Sequence, residues 1–99
     1  MYQKKKMTLE DVLNLIDYDP SSTSLSVYFY MGSQIGTIYD KCYFCETSDE
    51  NLKFLEDKQN LNRYMKCKVY SVYVAQGCIS ICLTYDTCSN IDGKVWFLR

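Results

Sequence analysis

The sequence predicts an α+β fold in which an N-terminal helix packs on an antiparallel β-sheet of four to five strands, with an irregular or short helical segment in the middle. Three observations carry this. Apolar residues recur at helical spacing from Leu9 to Ile16, Ser24 to Met31 alternates with the period of a strand, and two β-rich runs meet at Gln76-Gly77.

The helix begins at a capping signal. Thr8 followed by Asp11 offers an N-cap hydroxyl and an acidic third position, and Leu9, Val12, Leu13 and Ile16 then form one apolar stripe. Asp17 to Ser22 holds the one proline, Pro20, among turn formers and ends the helix. In the strand that follows, Leu25, Val27, Phe29 and Met31 share one face, with Ser26, Tyr28 and Tyr30 on the other. Gly32-Ser33 turns the chain into a second strand, Ile35 to Tyr43. From Cys45 to Arg63 the chain is polar and acidic, anchored by Leu52, Phe54, Leu55 and Leu61, with room for one short helix starting near Ser48. Lys66 to Val74 and Cys78 to Thr84 form the next hairpin. With Gln76 and Gly77 as its loop, Val74 pairs with Ile79, Val72 with Ile81 and Tyr70 with Leu83, all on one face, and a slip by one residue would expose the whole set. Asp92-Gly93 then leads into an edge strand, Lys94 to Leu98, carrying Trp96.

Composition bounds the function. At 99 residues the chain makes one domain, 1–99, that buries only somewhat more than about 60% of its open-chain surface, so a staple would help. Its 47% apolar and 23% charged residues are those of a globular protein, with disorder expected at 1–6. Eleven Lys and Arg against twelve Asp and Glu leave a net charge of -1, so nothing general attracts nucleic acid or an anionic membrane. The opening Met1 to Lys6 is basic like a signal peptide, but Glu10, Asp11 and Asn14 interrupt the apolar stretch such a segment needs. No apolar run approaches about 20 residues either. These features read as a cytoplasmic protein.

Reducing cytosol shifts six cysteines from disulfides towards metal ligation. Cys42 and Cys45 have the Cys-x-x-Cys spacing at which one turn presents two thiolates to a tetrahedral ion. In a meander of antiparallel strands the second strand ends at Cys42 and the third begins at Cys67 at the same edge, which Cys88 also reaches. Cys42, Cys45, Cys67 and Cys88 therefore form the expected zinc site, all thiolate because the chain has no histidine. Such a site contributes on the order of 10 to 16 kcal/mol in zinc peptides and would clasp the middle segment to the sheet. Cys78 and Cys82 are expected to pack as small apolar side chains, with Cys82 the alternative to Cys88 as ligand. Redox chemistry at the pair is disfavoured, since Glu46, Asp49 and Glu50 follow where cations would be needed to lower a thiol pKa.

Without histidine there is no Ser-His or Cys-His nucleophile pair, and no Gly-rich phosphate loop or metalloprotease helix occurs, so catalysis is not expected. Binding is the better reading. Ten tyrosines exceed what packing usually needs, and tyrosine gives large rigid contact area with a polar tip. Asp40 to Asp57 holds Asp40, Glu46, Asp49, Glu50, Glu56 and Asp57 against Lys41 and Lys53, six acids to two bases and a net of -4. That patch suits a basic groove built for nucleic acid.

The segment Met7 to Ile16, the paired strands after it, and the hairpin Val69-Tyr70-Ser71-Val72-Tyr73 to Ile79-Ser80-Ile81-Cys82-Leu83 resemble small proteins encoded by phages and mobile elements of Gram-positive bacteria. Among these are anti-CRISPR proteins that inhibit the RNA-guided nuclease of type II systems. The resemblance implies a stoichiometric inhibitor in the bacterial cytoplasm that binds the nuclease and blocks guide or target-DNA engagement, with acidic surfaces against basic channels. Glu46, Asp49, Glu50, Glu56 and Asp57 are then the expected contacts, in a monomer for which no direct, specific binding of nucleic acid is expected. The cysteine set departs from the commonest members and fits a zinc-stabilised variant. The alternative is a small zinc-ribbon-like regulatory module acting on transcription or replication proteins. Charge separates the two, since only Lys4 to Lys6 and the Arg63, Lys66, Lys68 group are basic.

Overall fold

A computed structural model describes residues 7–19, 21–42, 55, 57–88 and 97–98. Helix α1 spans Leu9–Leu15 with Thr8 as N-cap, as the sequence signal requires. The Asp11 N–H donates to Thr8 Oγ1 at 3.2 Å and the Thr8 N–H donates to Asp11 Oδ2 at 3.1 Å, closing the capping box. Next, Asp19 builds the turn into the sheet by accepting from the Ser21 N–H at 2.9 Å and the Ser21 hydroxyl at 2.7 Å, bonds that hold its carboxyl below the usual range.

Strands β1 (Ser24–Met31) and β2 (Gln34–Lys41) form the expected hairpin around Gly32, whose φ of 65 suits the first central position of a type II′ turn. Strands β3 (Val69–Ala75) and β4 (Cys78–Leu83) form the second, with Gly77 at φ 75 in the turn. Its pairs Val74 with Ile79 and Val72 with Ile81 are those the alternation predicts. Tyr70, however, does not face Leu83: a bulge between Val69 and Ser71 makes Val69 the partner of Leu83.

The sheet is mixed rather than purely antiparallel. Its order is β3-β4-β1-β2-β5, and β1 runs parallel to β4 from Ser24 beside Cys78 to Phe29 beside Leu83. A physical reason lies in the side chains. Leu25, Val27 and Phe29 on β1 and Ile79, Ile81 and Leu83 on β4 are all at most 5% exposed, so the two strands that most need cover on one face occupy the centre. The long connection from β2 to β3 permits this by crossing to the far edge, where a short turn would have forced a meander. Strand β5 (Phe97–Leu98) pairs antiparallel with β2, an edge position as expected.

Two helices were not legible in the sequence. Helix α2 (Lys58–Asn62) is capped by Asp57, whose carboxylate accepts the Gln59 N–H at 2.9 Å, and α3 (Tyr85–Cys88) follows β4 directly. Leu9 and Val12 of α1, with Leu61 and Tyr64, join the six central strand residues in one core on the first face of the sheet. Tyr64 is fully buried there. The start of α1 is also tied down by backbone: the Leu9 N–H donates to Cys67 O at 2.9 Å, and the Val69 N–H donates to Met7 O at 2.8 Å. Among the described residues no helix is long and apolar enough to cross a membrane. The expected disorder at 1–6, the helix near Ser48, the anchors Leu52 and Phe54, and Trp96 lie outside the described residues.

Candidate functional site

The second face of the sheet is chemically unlike the first. Ladder partners point the same way, so the register assigns Tyr73, Ser80, Ser26 and Asp40 to one row of this face and Ser71, Cys82, Tyr28 and Thr37 to the next, with Tyr30 opposite Ile35 beyond them. Hydroxyl-bearing residues dominate. Sequence alternation had already placed Ser26, Tyr28 and Tyr30 here, and the strand order adds the rest. Helices α1 and α2 send their buried side chains to the first face, and the Tyr85 ring of α3 lies 5.5 Å from that of Phe29, also on the first face.

At the centre, Tyr28 and Tyr30 meet edge to face with ring centroids 5.7 Å apart. Beside them lies a shallow cleft lined by Ser26, Tyr28, Tyr30, Ile35 and Thr37, about 230 Å³ in volume. That is below the roughly 300 to 1,000 Å³ of sites that enclose a small ligand, so the cleft suits a side chain of a larger partner. Burial pushes the Tyr28 phenol above its ordinary pKa, with Cys82 and Tyr30 adding to the shift. Burial likewise pushes the Cys82 thiol up, against the lowering effect of the Tyr30 backbone N–H. Both groups are neutral at physiological pH, and Cys82 is held as an unreactive thiol. It does pack, as its sequence context predicted, at 2% exposure, whereas Cys78 is half-buried. Tyr30 and Tyr73 are 52% and 67% exposed, which leaves two phenol rings available to a partner.

The expected zinc set is not brought together. Cys42 follows Lys41, which pairs with Leu25, and so lies level with Ser24. Cys67 lies beyond Val69, which is level with Leu83 and Phe29 at the opposite end of the strands. Roughly 20 Å along the strand direction separates them, far outside the reach of one tetrahedral ion. The premise that failed is the meander: with β3 at the far edge, the end of β2 and the start of β3 are no longer neighbours. Cys67 is 2% exposed within the apolar core. Cys45 and the side chain of Cys88 lie outside the described residues. No group of three or more Cys, Asp or Glu placed to hold a metal occurs among the described residues.

Of the expected partner contacts, Glu46, Asp49, Glu50 and Glu56 lie outside the described residues. Asp57 is exposed but engaged as the α2 cap. Asn60 is a further residue that sequence reasoning missed. The β1–β2 ladder skips Ile38, because Val27 faces Tyr39 and Tyr28 faces Thr37, and the Ile38 carbonyl accepts from Asn60 Nδ2. This bond pins α2 to the bulge that re-aims Thr37. Compared with known proteins, the chain matches no family model, no curated protein and no solved structure.

Proposed function

We propose that the chain is a protein-binding module whose contact surface is the tyrosine- and serine-rich face of the sheet, and that its partner is the type II RNA-guided nuclease named by the resemblance. One observation carries the reading: Tyr28, Tyr30 and Tyr73 share a sheet face whose paired positions include Asp40 and no Lys or Arg. Aromatic side chains on a sheet face also suit stacked bases, but single strands need cations along the backbone track, which these positions lack. Tyrosine with serine is instead the composition of surfaces that bind protein, where the ring gives area at low entropic cost and the hydroxyls adapt. The acidic stretch through Glu46, Asp49, Glu50, Glu56 and Asp57 would then add electrostatic steering.

The test is target cleavage by the purified nuclease, with guide RNA, after incubation with the chain. Inhibition is expected at about one chain per nuclease. Combining Tyr28→Ser with Tyr30→Ser should raise the concentration needed by roughly 10- to 100-fold, the loss of one or two anchor residues. Neutralising the five acids should slow association and reduce its salt dependence. Cleavage unaffected by the wild-type chain would remove the nuclease as partner, whereas unchanged inhibition by the tyrosine variant would move the contact off this face.

A further inference from the structure

Strand β3 forms one edge of the sheet, and beyond the bulge at its start it lacks the charges and proline that often protect an edge. Its seven residues, Val-Tyr-Ser-Val-Tyr-Val-Ala, include no charge, proline or glycine. Tyr70, Val72, Tyr73 and Val74 are 71%, 42%, 67% and 67% exposed. Pairing Ala75 with Cys78 across the turn directs the backbone groups of Ser71, Tyr73 and Ala75 towards β4, and those of Val72 and Val74 outward. The bulge shifts the phase, so Val69 also points outward, where its N–H is taken by Met7. Among the described residues, the N-terminal segment covers this edge only at Lys68 and Val69, leaving the regular stretch from Ser71 to Ala75 beyond it.

We infer that this edge pairs with β3 of a second copy of the chain, antiparallel about a two-fold axis at Tyr73, to give one continuous sheet across two molecules. Only that axis sets Val72 opposite Val74 of the second copy, with four outward backbone groups on each chain meeting their complements and the bulge left outside. Tyr73 then meets its own copy as a close, non-hydrogen-bonded pair, and Ser71 faces Ala75. No charged residue lies between Ser71 and Ala75, so no like charges oppose each other along the paired stretch. Area permits it. With roughly 200 Å² per tyrosine side chain, the exposed parts of these four residues amount to on the order of 500 Å² per chain, so pairing buries at most about 1,000 Å² in all, the lower bound of a specific interface. The inference does not rest on the partner proposed above, although Tyr73 belongs to both surfaces.

Sedimentation or light scattering of the full chain up to several hundred micromolar tests it. The mass should rise from 11.6 kDa to twice that with concentration. Val74→Pro deletes an outward N–H that the fold does not use and should leave the melting curve in place while abolishing the dimer. Tyr73→Lys, which sets two cations together at the axis, should do the same and serves if the proline variant does not fold. Tyr73→Cys should cross-link under mild oxidation into a dimer joined at the introduced thiol, with the wild-type chain as control. A wild-type chain that stays monomeric throughout, folded Val74→Pro or Tyr73→Lys chains that still dimerise, or an introduced thiol that cross-links no faster than the native ones would each overturn the inference.

Discussion

Gly36 and Phe29 depend on each other. They are paired across β1 and β2, and a Cβ at Gly36 would fall 2.8 and 2.9 Å from Cε2 and Cε1 of the Phe29 ring, which is fully buried and cannot withdraw. Gly36→Ala should therefore cost about 1 to 3 kcal/mol by overpacking, read as a shift in the urea midpoint. Adding Phe29→Leu to that variant should cost less than Phe29→Leu alone, because the smaller side chain vacates the contested space. A positive φ plays no part here; close approach alone demands glycine. Tyr28 and Cys82 add a dependence on pH. Both have pKa values raised by folding, so the unfolded chain gives up these protons first. Their contribution is fully present at neutral pH, starts to fall as pH passes the ordinary thiol and phenol values of about 9 and 10, and is lost through the raised folded values above them, so the melting temperature should fall on that alkaline side. Combining Tyr28→Phe with Cys82→Ala should flatten this fall; an unaltered slope would assign the loss to other groups.

At the scale of elements, short helices owe their stability to the ties at their ends. Helix α1 has seven residues, too few to persist alone, and holds through the Thr8–Asp11 box and the buried Leu9 and Val12. Thr8→Ala should cost about 1 kcal/mol in thermal or urea unfolding, while Thr8→Ser retains most of the cap. Helix α2 is anchored by Asn60 to the carbonyl that the β2 bulge releases. Asn60→Leu keeps the branched shape but leaves that buried carbonyl without this donor, a loss of about 1 to 3 kcal/mol. The capping box was legible because all its parts lie within four residues. Asn60 was not, since its partner Ile38 is distant in sequence and its carbonyl is free only because the ladder skips a residue. The β3–β4 register was read correctly at Val72 and Val74 and missed at Tyr70 for the same kind of reason, as alternation does not announce a bulge.

For the whole molecule, the mixed topology orders the thiols by depth. Cys67 and Cys82 are each 2% exposed, whereas Cys42 and Cys78 are half-buried at the opposite end of the sheet from Cys67. Pulsed alkylation read by mass spectrometry should label Cys42 and Cys78 in the native state, and Cys67 and Cys82 only at the rate of unfolding. A zinc clasp joining Cys42 to Cys67 would instead protect those two together and release them together on chelation. What the sequence by itself determined is local: the α1 cap, the two hairpins, the alternation that divides each strand into an apolar and a hydroxyl-rich face, and the tyrosine content. Those properties depend on neighbours one to four residues apart, where sterics and hydrogen bonding leave few choices. Tertiary structure alone decided which strands lie side by side. Placing β1 and β4 in the centre buries the most apolar surface, and that single outcome separates Cys42 from Cys67, gathers Tyr28, Tyr30 and Tyr73 onto one face, and leaves β3 at the edge.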